Sequence, residues 1–109
     1  MSKLMQSRIT LKGKEIDVAV NALEQSITRY IDAGSEYMAV PYQVILTEIQ
    51  KVRKYGNGNE AGLLLVGGNI DCMASALKTA KLDAEATETA AWLEELVKKQ
   101  TRGMSQKYL

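Results

Sequence analysis

The amino-acid sequence predicts an all-α fold: a small helical bundle in which two shorter helices precede a long C-terminal helical segment, with residues 1–109 forming one domain. Three observations carry that expectation. Apolar residues recur at three- and four-residue steps in three separate stretches, which is the period of one helix face. The single proline stands where a helix would begin, and no proline follows between Asn59 and Arg102. The composition, 46% hydrophobic and 25% charged, is that of an ordinary globular chain.

The first helix is expected over Lys14 to Ala33. Ile16, Val20, Leu23, Ile27 and Ile31 form its apolar face, Asp17, Glu24, Gln25 and Thr28 fall off it, and Gly34 supplies the stop. Before it, "SRITLKGK" reads as a lead-in or as a short strand with a Lys-Gly turn. The second helix is expected from Pro41 to Tyr55. Proline suits a first turn, where its missing N–H costs nothing. Tyr42, Ile45, Leu46, Ile49 and Val52 face inward, the cations Lys51, Arg53 and Lys54 oppose the negative end of the helix dipole, and Gly56 is the expected terminator.

The segment from Asn59 to Arg102 is the hardest to read. "AGLLLVGGNIDC" admits a buried strand ending in a glycine turn, or a helical turn with a flat face. Two helical stripes run through it. One is Leu63, Val66, Ile70, Met73, Leu77, Ala80 and Ala84. The other is Ala61, Leu64, Gly68, Cys72, Ser75, Thr79, Leu82, Ala86, Ala90, Leu93 and Val97. The helical reading is preferred, with Gly68 on a small face that lets another helix approach. The two glycines cost roughly 2 kcal/mol of helix propensity against alanine, so packing or function must repay them. Breaks are allowed at Gly67-Gly68, with Asn69 as a cap, and at Leu82-Asp83, with Asp83 as N-cap. Unbroken, the helix would be about 60 Å long, too long for a domain whose radius of gyration should be about 13 Å. The segment must therefore fold back or be covered by another chain. No internal repeat or low-complexity stretch stands out.

Function is bounded mainly by exclusion. Fourteen Lys and Arg against thirteen Asp and Glu leave a net charge of +1, evenly spread, so nucleic acid and anionic membranes are not expected partners. One cysteine gives no intrachain disulfide framework. The start "MSKLMQSRITLKGK" has no apolar core of a secretory signal, and the run from Ala61 to Gly68 is too short to span a bilayer, so a soluble cytoplasmic protein is expected. Histidine is absent, which removes the commonest acid–base group, His-dependent zinc sites and the Ser-His and Cys-His pairs.

Cys72 reads as a buried, inert thiol rather than a nucleophile. Asp83, Glu85, Glu88, Glu94 and Glu95 read as a solvated helix face rather than a metal or acid–base group. "VGGN" resembles a phosphate nest, but neither the Walker pattern nor GxGxxG is present. No enzymatic activity, cofactor or metal is expected.

The expected function is that of a non-enzymatic interaction protein acting as a homo-oligomer: an inhibitor, adaptor or sequestering protein with a protein partner of unknown identity. Leu64, Gly68, Trp92, Leu93, Leu96 and Val97 are the expected oligomer interface, because a straight helix leaves them little partner surface within the chain. Lys51, Arg53, Lys54 and Tyr55 are the candidate ligand or nucleic-acid contacts. The alternatives are a small-ligand or nucleotide binder with its pocket between protomers, and a weaker one, a nucleic-acid binder using the Lys51–Lys54 cluster.

Overall fold

The computed structural model describes residues 4–55 and 59–103. The chain runs β1 (Met5–Lys12), α1 (Lys14–Asp32), α2 (Glu36–Tyr55), β2 (Glu60–Val66), α3 (Gly68–Thr79), α4 (Ala84–Lys99) and β3 (Thr101–Gly103). The three strands form an antiparallel sheet in the order β2-β1-β3. The fold is therefore α/β, and the all-α helical bundle predicted from the sequence is corrected.

The correction has a physical reason. "EAGLLLV" is almost wholly apolar, and periodicity alone does not separate a buried strand from a helical turn in so short a run. What decides is a partner far away in sequence. β2 pairs with β1 along its whole length, Lys12 opposite Glu60 and Gln6 opposite Val66. Ala61, Leu63 and Leu65 then point into the core, while Gly62 and Leu64 point out. Gly67, at φ 59°, breaks any helix that would run through from β2. The "SRITL" segment is likewise a strand, with Ser7, Ile9 and Leu11 buried.

The helices follow local chemistry more closely. α1 ends in a full Schellman motif: Ser35 N–H donates to Tyr30 O at 2.8 Å and Gly34 N–H to Ile31 O at 3.0 Å, with Gly34 at φ 76°. α2 starts five residues before Pro41, so the proline lies inside the helix and forgoes one backbone bond. Gly56, the expected terminator of α2, lies outside the described residues. The chain does fold back after α3. Asp83 Oδ1 accepts the Ala86 N–H at 2.8 Å and opens α4. The Gln25 side-chain amide holds that connection by pairing both backbone groups of Lys81, at 2.8 and 3.0 Å.

A repeat that the sequence alone did not disclose becomes legible once the strands are placed. Shifted by 54 residues, "ITLKGKEIDVAVNAL" (9–23) overlies "LLLVGGNIDCMASAL" (63–77). Leu11/Leu65, Gly13/Gly67, Ile16/Ile70, Asp17/Asp71, Ala22/Ala76 and Leu23/Leu77 coincide. The backbone repeats as well. Gly13 and Gly67 share one conformation, φ 54° and ψ −119° against φ 59° and ψ −130°. Gly13 N–H donates to Asn59 O at 2.9 Å, and Gly67 N–H to Met5 O at 2.8 Å. Ile9 and its counterpart Leu63 are register partners, so a local two-fold axis passes between them. Each half is a strand, a glycine turn and two helices. Two antiparallel helices return the chain at the end where it left the strand, so the second strand runs antiparallel to the first.

Candidate interaction surface

Alternation along the strands gives the sheet two unlike faces. Ser7, Ile9, Leu11, Ala61, Leu63 and Leu65 lie under the helices, and the Ser7 hydroxyl donates to Val97 O at 2.8 Å inside the core. The other face carries Arg8, Thr10, Lys12, Glu60, Gly62 and Leu64, all exposed, with Arg102 of β3 on the same side. Among the described residues no element covers it. It holds three cations and one carboxylate, and none of these residues is aromatic, so it lacks the stacking platforms with which open sheets hold single strands.

The edge of β2 is also open. The bonds from Gly13 to Asn59 and from Gly67 to Met5 fix the odd-numbered residues of β2 as those whose backbone groups face β1. The N–H and C=O groups of Glu60, Gly62, Leu64 and Val66 therefore point away from the sheet. Among the described residues, no further backbone bond involves them.

Beside this edge, α2 packs on β2 and α1 with Ala39, Tyr42, Ile45 and Ile49 buried. Its opposite side carries Tyr37, Val40 and Val44 at helical spacing, exposed by 75%, 51% and 48%. A surface residue of this size standing alone is ordinary; three in a stripe beside an open strand are not.

The expected interface residues divide. Leu64 is half-exposed on the open sheet face, and Trp92 is half-exposed with its indole N–H donating to Glu15 Oε2 at 3.1 Å. Leu93 and Val97 are fully buried in the chain's own core and Leu96 packs against it, because α4 folds back. Gly68 is exposed, and a side chain there would meet nothing within 4 Å, so it is not a point of close helix approach. The glycine that matters is Gly67, whose conformation needs it and whose added Cβ would lie 3.4 Å from Leu4. Of the basic cluster, Lys51 is exposed and Arg53 reaches Asp17 at 3.3 Å across to α1. The Lys54 and Tyr55 side chains lie outside the described residues.

The groups considered for chemistry have other occupations. Burial pushes the Cys72 thiol up, against a hydrogen bond from Tyr42 that lowers it. Burial likewise pushes the Tyr42 phenol up to about 12, in a cluster with Tyr30, Ser75 and Cys72. Asp83 caps α4, Glu85 pairs with Lys14 at 2.8 Å and Glu94 with Lys98 at 2.8 Å. No described group of three or more Cys, Asp or Glu could hold a metal ion. A wide hollow of about 350 Å³ lies between α1 and the α3–α4 connection, lined by Glu24, Gln25, Thr28, Arg29, Asp32 and Lys81. It is open to solvent, and every residue lining it is polar or charged, with carboxylates and cations side by side. No described helix is long and apolar enough to cross a membrane.

No family model, curated protein or solved structure matches the chain.

Proposed function

We propose that the protein is a non-enzymatic interaction protein that works as a homo-oligomer in the cytoplasm. The observation that carries this reading is the apolar surface that the fold leaves uncovered among the described residues. Four helices cover one face of the sheet, while the other face, the β2 edge and the α2 stripe carry half-exposed leucine, valine and tyrosine. Surface of that kind marks an association site rather than a substrate pocket. The lone free thiol fits a reducing compartment.

Sedimentation over a range of concentrations tests the reading. A mass of twice the chain or more, persisting on dilution, is the expected result, with no thermal shift from a panel of nucleotides. A single-chain mass at every concentration would overturn it. Tight, salt-dependent binding of a duplex or single strand would move the function to nucleic acid instead.

A further inference from the structure

We propose that β2 pairs antiparallel with the β2 of a second copy of this chain, joining two three-stranded sheets into one of six and setting α2 beside the partner's α2 beneath it. This rests on the homo-oligomeric reading above and names its interface.

The first support is the internal two-fold. It maps β1 onto β2, and so maps the outer edge of β1 at Gln6 onto the outer edge of β2 at Glu60. On β1 that edge is occupied: Gln6 is the register partner of Arg102 of β3. On β2 the corresponding edge has no described neighbour. The same backbone, in the same turn-and-strand setting, already accepts an antiparallel strand in one half of the molecule.

The second support is the sequence of β2 read against itself. A two-fold centred on Leu63 is the register that pairs all seven residues, and it keeps outward backbone groups opposite outward ones. It sets Leu64 opposite the partner subunit's Gly62 on the open face, and Leu65 opposite the partner subunit's Ala61 on the core face. In these two pairs a large side chain meets a small one across the seam, and at the centre Leu63 meets the partner subunit's Leu63 on the core face. Glu60, the one charge in the strand, falls opposite the partner subunit's Val66, so the two carboxylates lie at opposite ends.

The third support is the helix layer. A seven-residue strand pair buries less surface than a stable dimer needs, about 1,200 Å² or more. Extending the contact to Tyr37, Val40 and Val44 supplies apolar area where the second layer continues. Edge strands that are meant to stay single carry lysine, proline or a bulge; β2 has none of these.

The test compares the full chain with Leu64→Lys, Gly62→Pro, Val44→Glu and Trp92→Ala by sedimentation, with circular dichroism to check folding. Leu64 and Gly62 are exposed, and the Gly62 N–H points away from β1, so neither change breaks the existing ladder. A wild-type dimer is expected, weakened at least tenfold by Leu64→Lys and by Val44→Glu and unaltered by Trp92→Ala. Amide exchange of Gly62 and Leu64 should be slow in the dimer and fast in Leu64→Lys. If Gly62→Pro fails to fold, Leu64→Lys and the exchange rates still decide. A dimer that survives Leu64→Lys with fast-exchanging Gly62 and Leu64 amides, or that dissociates on Trp92→Ala, would overturn edge pairing while leaving the homo-oligomeric reading intact. A monomer at all concentrations would end both.

Discussion

Gly13 and Gly67 perform the same task twice, turning a strand into a helix through a left-handed backbone that a side chain resists. Gly67→Ala should therefore cost about 1–3 kcal/mol, and Gly13→Ala a similar amount, both read from denaturant midpoints. Gly68→Ala should be close to neutral, because that position is open and its backbone is ordinary. Equal costs at Gly67 and Gly68 would contradict the assignment. Tyr42 gives a pH prediction. The folded chain holds its phenol protonated to about 12, while the unfolded chain releases the proton near 10.0. Stability from this group is complete below about pH 10 and is lost as pH rises toward about 12. In Tyr42→Phe the fall in urea midpoint across that window should be shallower than in the parent chain.

Among the elements, α4 depends most visibly on one side chain. Asp83→Ala removes its N-cap and should cost about 0.5–2 kcal/mol, whereas Asp83→Asn should retain most of the stability; thermal melts distinguish the two. Leu93 shows how an element's setting changes a residue's meaning. On a straight helix it would be a docking residue, but on a helix that folds back it is core. Leu93→Ala should cost about 2–5 kcal/mol, and Leu93→Asp should unfold the chain rather than release folded subunits, as circular dichroism would show. The first helix was legible in its apolar period and its Gly34 stop because both act within one or two turns. Its buried face is nonetheless broader than the stripe of Ile16, Val20, Leu23, Ile27 and Ile31. Ala19, Ala22 and Ser26 are fully covered, while Ile31 is half-exposed. Small residues there let α1 sit close between its neighbours, which no helical period records.

The whole molecule is two similar halves about a local axis, with β3 added to one of them. Met5 and Gly103 are register partners at the outer side of β1. A circular permutant of residues 5–103 that joins Gly103 to Met5 through a flexible linker and opens the chain between Tyr55 and Asn59 should keep the fold, because the cut falls between the halves. Its far-UV spectrum and cooperative melt should match the parent, and a non-cooperative melt would argue that the halves are not interchangeable units. The candidate surface is also a whole-molecule property. Leu64 was picked out from the sequence on a helical stripe with Gly68 and Cys72, whereas it stands on the open face of a strand, and the α2 stripe of Tyr37, Val40 and Val44 was not picked out. Residues 35–40, "SEYMAV", read as the connection between the two expected helices, whereas α2 begins at Glu36.

The sequence by itself determined the first helix with its stop at Gly34, the Asp83 cap as an allowed start for the last one, and the absence of histidine, because each of these depends on residues within a turn or two or on composition alone. Tertiary structure decided the sheet, the repeat and the surface. A strand has no internal hydrogen bonds, so "AGLLLV" becomes β2 only when β1, about fifty residues earlier, supplies the other half of every bond. Until that pairing is in place the apolar run fits a helix equally well, the shared pattern around Gly13 and Gly67 has no axis to relate it, and no side of the chain can be named as uncovered.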